Sequence, residues 1–249
     1  MPRAWAAGSG PSIMRGGPES SDAGRITYTN VTLMSVLLRA WAANPYQIAG
    51  PEWLSTERYD ISATIPAGAT QPRFQAMLQR LLAERFQMTS HRETRRIAGY
   101  ELVAGKGATK RRVSTESGPD VDPTDAPKTD ANGFPQLTAP GLVMMEGQQG
   151  LAVVSFLTAR AQPLSALAEV LSKEFRMPVV DRTGMAGRYD FTLEFAPQAP
   201  GALPPESSDE AAPNLVSAIP RQLGLRLDAK KIAVDVIIVD GANKVPAEN

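Results

Sequence analysis

Arg-Tyr-Asp followed by a large apolar residue occurs twice, within TERYDISATI at 56–65 and AGRYDFTLEF at 186–195. Alternate residues of an extended chain share a face. Tyr59, Ile61, Ala63 and Ile65 therefore point one way, and Arg58, Asp60, Ser62 and Thr64 the other. In the second copy Tyr189, Phe191, Leu193 and Phe195 face inward, while Arg188, Asp190, Thr192 and Glu194 face outward. Each copy reads as a half-buried strand.

The surroundings of the two copies agree. Before each lies a helical stripe: Leu33, Val36, Leu37, Ala40 and Trp41 in one case, Leu164, Leu167, Ala168 and Leu171 in the other. Spacing of i, i+3, i+4 puts such residues on one helix face. Thr32 is placed to cap the first stripe, and Pro163 stands at the first position of the second. A short apolar strand follows each helix (YQIAG, 46–50; MPVVD, 177–181), then a turn, then the Arg-Tyr-Asp strand. After it come a linker, a helix and two further strands. Phe74, Met77, Leu78, Leu81 and Leu82 mark the first of these helices, with Pro72 near its start; LVSAIPRQLG reads as a short helix capped by Ser217, with Pro220 in its first turn and Gly224 at its end. Matching order and spacing predict a tandem duplication. The expected fold class is α+β, with two tandem, related β-α-β-β-α-β-β halves whose helices pack on antiparallel or mixed sheets.

Composition sets the boundaries between the halves. Residues 1–24 read as a loose N-terminal segment apart from a short strand near Ile13-Met14, 25–107 as the first α+β repeat, 108–140 as a flexible linker and 141–249 as the second repeat, interrupted by a loop at 197–213. The linker and loop are rich in Gly, Pro and charged residues and poor in large apolar ones, so they cannot bury enough surface to offset their ordering entropy. The remainder contains ample core material, since 43% of the chain is hydrophobic.

Several function classes fall away. There is no cysteine, which removes disulfides, thiolate nucleophiles and zinc–cysteine sites. His91 is the single histidine, so one chain cannot build a multi-histidine metal site, and a Ser-His-Asp mechanism would run through His91 alone. The 26 basic and 26 acidic residues balance, so a chain-wide electrostatic footprint for nucleic acid is missing. No apolar run is long enough to cross a membrane as a helix, and MPRAWAAGSGPS lacks the continuous apolar stretch of a signal peptide. No cofactor and no catalytic residue is assigned.

The polar residues that stand out are Trp53, Arg58, Asp60, His91, Arg188 and Asp190, the positions offered for ligand or partner contacts. Each also has a structural reading. The Arg and Asp of each motif share an outer face and can form a solvated ladder or accept backbone N–H groups at a turn. Trp53 can stack on a ligand or cover the end of a core. His91 can act as a hydrolytic base or sit on the surface. Gly184 and Gly187 suit a tight loop, not a phosphate cradle, because phosphate loops open helices; Asp181 and Thr183 can bond the backbone of that loop. The segment 92–112 gathers Arg92, Arg95, Arg96, Lys106, Lys110, Arg111 and Arg112, which keeps a nucleic-acid reading alive beside that of a solvated strand.

The stretches RITYTNVTL (25–33), YQIAGPEWL (46–54), RYDISA (58–63), MLQRLLAERFQMTSHRETR (77–95), YELVAGKG (100–107), PVVDRTGMAGRYDFTLEF (178–195) and QLGLRL (222–227) together resemble the large soil-associated protein family of acidobacteria, a domain of unknown function. The resemblance implies an extracytoplasmic, periplasmic or secreted protein, a role in binding another envelope protein, and in some members attachment to a membrane sensor–peptidase. It brings no catalytic residues. The helix–strand pattern is also similar to the short N-terminal domains of secretins and TonB-dependent receptors, at the level of fold alone.

Overall fold

The computed structural model describes residues 10–18, 20, 22–105, 112–114, 128–149, 152–197 and 213–247. These fall into two units. Unit 1 combines the chain up to Arg95 with Ala233 onward, and unit 2 runs from Arg96 to Ile232. The fold is α+β, with mixed and antiparallel sheets.

Unit 1 begins with β1 (Ile13–Gly16), β2 (Arg25–Thr32) and α1 (Leu33–Ala40). Helix α1 forms where the sequence places it, and the Thr32 hydroxyl accepts from Ser35 N at 3.2 Å. Its stripe of Leu33, Val36, Leu37 and Ala40 is fully buried. Then follow β3 (Ile48–Ala49), the short α2 (Trp53–Thr56), β4 (Arg58–Thr64) and α3 (Gln71–Phe86). Strands β1, β2 and β4 make an antiparallel sheet in that order. Phe74, Leu78, Leu82 and Phe86 of α3 join the core beneath Tyr59 and Ile61.

Unit 2 shares part of this strand order. After β5 (Thr89–Ala104), which begins in unit 1, come β6 (Arg112–Val113), β7 (Gly141–Gln149), β8 (Ala152–Gln162) and α4 (Leu164–Phe175). Then follow β9 (Val179–Asp181), β10 (Tyr189–Phe195), α5 (Leu215–Ala218) and β11 (Leu225–Gly241). The sheet order is β6-β10-β8-β7, again antiparallel. Strands β7, β8 and β10 stand as β1, β2 and β4 do in unit 1, and β6 is an addition on the far edge of β10.

Four expectations are revised. Each half was expected to end in two strands, but each ends in one long strand, β5 or β11. Gly99 lies within β5. A Cβ there would stand 2.3 Å from Pro178 O, so the glycine serves close approach of a neighbouring backbone. The strand expected near Ile13-Met14 is present as β1, and the second half likewise opens with a hairpin strand, β7, ahead of the one expected.

Second, the boundary lies within β5 and β11, not at 107/108. Ile237 and Val239, from the end of the second repeat, lie in the unit 1 core, where β3 pairs in parallel with β11. Leu102, from the end of the first repeat, lies in the unit 2 core, where β9 pairs in parallel with β5. Each final strand begins in one unit and ends in the other.

Third, two pieces of the stretch 108–140 are ordered parts of unit 2. Residues 112–113 pair with β10. At 128–136 the Asp130 carboxylate accepts from Asn132 N and Phe134 N, both at 2.9 Å, and the Phe134 ring packs edge-on against Phe156. Residues 106–111 and 115–127, with most of the loop at 197–213, lie outside the described residues.

Fourth, Asn214 caps α5, accepting from Ser217 N. The next turn, 219–223, widens to π geometry at Pro220, whose missing N–H cannot continue the α pattern. Gly224 ends it in the left-handed conformation, as expected. Pro163, likewise, stands one position before α4 begins, with extended backbone.

Candidate functional site

The two Arg-Tyr-Asp motifs do the same thing. In β2 the register against β4 shifts between Tyr28 and Val31, and in β8 the register against β10 shifts across Arg160 and Ala161. Each shift is a β-bulge, and each contains a non-glycine residue with positive φ: Asn30 at 53° and Ala161 at 51°. The left-handed conformation costs an L-residue about 1–2 kcal/mol. A bulge also leaves backbone groups without a ladder partner.

The motif meets both costs. Asp60 Oδ1 accepts from Asn30 N at 2.8 Å, and Arg58 Nη1 donates to Asn30 O at 3.2 Å. In unit 2, Asp190 Oδ1 accepts from Ala161 N at 2.7 Å, and Arg188 Nη1 donates to Ala161 O at 2.8 Å. Each Arg/Asp pair thus grips the N–H and C=O of one left-handed residue with charge-assisted hydrogen bonds. This replaces the solvated ladder. The backbone N–H that the carboxylate accepts belongs to a bulge in the neighbouring strand, not to a turn.

The tyrosine between each pair is a core residue. Tyr59 is 6% exposed and Tyr189 5%. Tyr59 Oη donates to Lys244 O at 2.9 Å, and its ring meets Phe86 edge-on at 5.2 Å. Burial, reinforced by nearby Glu57, pushes its phenol above the ordinary range. Tyr189 Oη donates to Ala186 O at 3.1 Å in the loop after Asp181. That loop is tight, as its glycines suggest. Asp181 Oδ1 accepts from Thr183 N and Thr183 Oγ1, and Thr183 Oγ1 accepts from Met185 N.

His91 lies on β5 in unit 1, exposed. Its Nδ1 is 2.8 Å from Asp240 Oδ1 and 3.0 Å from Oδ2, across to β11. Asp240 is its hydrogen-bond partner among the described residues. Nearby, Thr94 Oγ1 donates to Asp235 Oδ1 at 2.8 Å, and the Arg95 guanidinium holds Glu93 Oε2 at 2.9 Å. That bond, with the charges of Arg95 and His91, holds the Glu93 carboxyl below its usual range. Every residue from 89 to 95 is exposed, so this part of β5 presents both faces. Of the basic run beginning at 92, Arg95 is engaged by Glu93, and Arg96 in unit 2 donates to Lys231 O.

Trp53 opens α2 and packs, half-buried, against the unit 1 core. The Lys244 ammonium lies 5.9 Å from its ring centroid and 3.2 Å from Glu57 Oε1. The ring therefore covers a core edge and carries a cation on its face.

The structure thus joins Arg58 with Asp60 on Asn30, Arg188 with Asp190 on Ala161, and His91 with Asp240. Sequence reasoning missed Asp240, because nothing in spacing ties it to a histidine 149 residues away. It also missed Asn30 and Ala161. Asn tolerates the left-handed region, so TYTNVT carried a weak signal, whereas Ala161 carried none.

Residues 34–242 match the model of DUF3738, described as a protein of unknown function. The chain belongs to that family. Comparison with curated proteins and with solved structures gave no match. Among the described residues no helix is long and apolar enough to cross a membrane, and no group of three or more His, Cys, Asp or Glu residues is placed to hold a metal ion.

Proposed function

We propose that this DUF3738 chain is a non-enzymatic interaction module that acts outside the cytoplasm, in contact with another envelope protein. The observation that carries this reading is β5 between Thr89 and Arg95. Seven consecutive residues of a regular strand expose both faces. Such a strand gains little from burial, so what it contributes is presentation. Its polar groups are held in register by His91–Asp240 and Thr94–Asp235. The repeated motifs support the same reading, since their charged groups are spent on bulges and their tyrosines on cores. That one clamp recurs in both units is what duplication of a single scaffold would leave. The extracytoplasmic setting rests on the family resemblance.

The test is a photocrosslinking amino acid at Arg92 in the native host, with buried Leu78 as control. A discrete protein adduct from position 92 alone is expected, in an extracytoplasmic fraction. No adduct from any position between 90 and 94 overturns the interaction reading, and a purely cytosolic protein overturns the location.

A second reading is favoured by one distance. The 2.8 Å His91–Asp240 contact is the acid–imidazole half of a nucleophilic relay. Hydrolysis of ester or peptide substrates that is abolished by His91→Gln would establish it in place of the first.

A further inference from the structure

The two sheets built around the clamps differ in one place. In unit 2, β10 has strand partners on both sides: β8 on one and β6 on the other. In unit 1, β4 pairs with β2 on the corresponding side, and among the described residues its other edge carries no strand. Strand β4 has no proline and no bulge of its own to blunt that edge; the irregularity lies in β2. Native proteins cover, charge or kink such edges because they offer a row of free N–H and C=O groups.

Unit 2 shows what the edge accepts. Strand β6 lies antiparallel to β10, with Val113 opposite Tyr189 and Arg112 opposite Asp190. Ser114 N donates to Arg188 O at 2.9 Å. The backbone groups of Arg188, and by alternation of Asp190, therefore point toward β6. By the same alternation those of Arg58, Asp60 and Ser62 point to the open edge of β4. Directly opposed residues share a face, so an incoming strand places one residue on the Tyr59 side and the preceding one beside Asp60. Asp60 uses Oδ1 on Asn30 N and has Oδ2 left for a cation, whereas Glu57 is already paired with Lys244.

We propose that the open edge of β4 binds an extended peptide segment of a partner protein, antiparallel, with a basic residue opposite Asp60 followed by a β-branched residue opposite Tyr59. Main-chain hydrogen bonds supply the affinity and the alternating side chains the selectivity. This edge is separate from the exposed part of β5, so the inference stands without the reading given above.

The probe is a fluorescein-labelled peptide with the sequence of residues 110–115, Lys-Arg-Arg-Val-Ser-Thr, titrated into the full-length chain by fluorescence anisotropy. Saturable binding is expected. Ser62→Pro, which removes an edge-facing N–H without touching the β2 ladder, should weaken it roughly tenfold or more. A second arm leaves the protein intact. N-methylation of the peptide at the positions of Arg112 or Ser114, whose backbone faces the edge, should abolish binding, whereas N-methylation at the position of Val113 should not. Absence of saturable binding overturns the proposal. So does binding unchanged by Ser62→Pro, which would put the peptide at the β10 edge in place of β6. A dimer in light scattering that Ser62→Pro converts to monomer makes a second copy the occupant and also overturns it.

Discussion

The carboxylate of Asp190 accepts the backbone N–H of Ala161 at 2.7 Å, and Ala161 holds φ at 51°. An alanine in that region is strained by its own Cβ. The clamp and the strain belong together, and the pair can be taken apart. Asp190→Ala leaves the bulge N–H without its acceptor and should lower stability by about 1.5–3 kcal/mol. Asp190→Asn keeps a neutral acceptor and should cost less. Ala161→Gly removes the strain, so in a double-mutant cycle it should return part of what Asp190→Ala loses. Urea denaturation of the four proteins checks this, and strict additivity would show that the clamp does not hold the bulge.

The tyrosines should behave as core anchors. Tyr59→Ala and Tyr189→Ala should each cost about 3–5 kcal/mol, the range of large buried aromatics. Tyr59→Phe keeps the edge contact with Phe86 and loses only the bond to Lys244 O, so it should cost about 0.5–1.5 kcal/mol. Chemical denaturation separates these outcomes. A Tyr59→Phe loss as large as that of Tyr59→Ala would place the importance of the residue in its hydroxyl.

What was legible in the chain was what periodicity encodes. The stripes at 33–41 and 164–171, the alternation in β4 and β10, and the turn chemistry of Asp181 and Thr183 are local, and local physics decides them. What was not legible depended on partners far away in sequence. TSHRETRR reads as a short polar strand followed by another because no apolar alternation runs through it, and its continuity is set by the β11 strand beside it. Gly99 gave no signal of its role, because the approach of Pro178 cannot be seen from one strand. Nor can hydropathy tell which half receives Ile237 and Val239, since either core would bury them. The function of the Arg and Asp in the motif was hidden for a related reason: their partner is a backbone peptide about 30 residues away, and Ala161 announces nothing.

Gly99 therefore offers a direct test. Gly99→Ala should destabilise unit 2 by about 1–3 kcal/mol, as overpacking does, because the nearest atom to the new Cβ is backbone and cannot swing aside. Gly184→Ala, by contrast, places a residue at positive φ in open space, so its cost is limited to conformational strain of about 1–2 kcal/mol. Thermal melts of the two variants compare steric approach with backbone strain. A harmless Gly99→Ala would mean that β9 does not sit against β5 as described.

Glu174 of α4 predicts a pH dependence. Burial, with the charge of Glu146 on β7 added, raises its carboxyl above the ordinary 4.5. A raised carboxyl binds its proton more tightly in the folded state. Below pH 4.5 both states are protonated and there is no penalty. As pH rises through 4.5 toward the folded value, the unfolded state ionises first and stability falls. Glu174→Gln removes this slope. It should raise the denaturation midpoint at pH 7 and leave it unchanged well below pH 4.5. A gain of the same size at both pH values would assign the effect to packing.

The division of β11 between the two units makes the last prediction. If the second repeat were self-contained, deleting residues 233–249 would damage that repeat and spare the first. The described cores say the opposite. The deletion takes Ile237 and Val239 from the core of unit 1, along with the β11 residues that pair with β3, the carbonyl of Lys244 that Tyr59 bonds, and Asp240 opposite His91. Each lost aliphatic side chain is worth roughly 1.5–3 kcal/mol of burial, and unsatisfied strand edges add to that. Unit 2 keeps Leu225 and Ile232 and the whole of β8, α4 and β10. In the truncated chain, hydrogen exchange should therefore accelerate across β2, β4 and α3, while amides of β8 and β10 stay protected. Protection lost in β8 and β10 and retained in β2 and β4 would return the final strand to the second half and with it the boundary at 107/108.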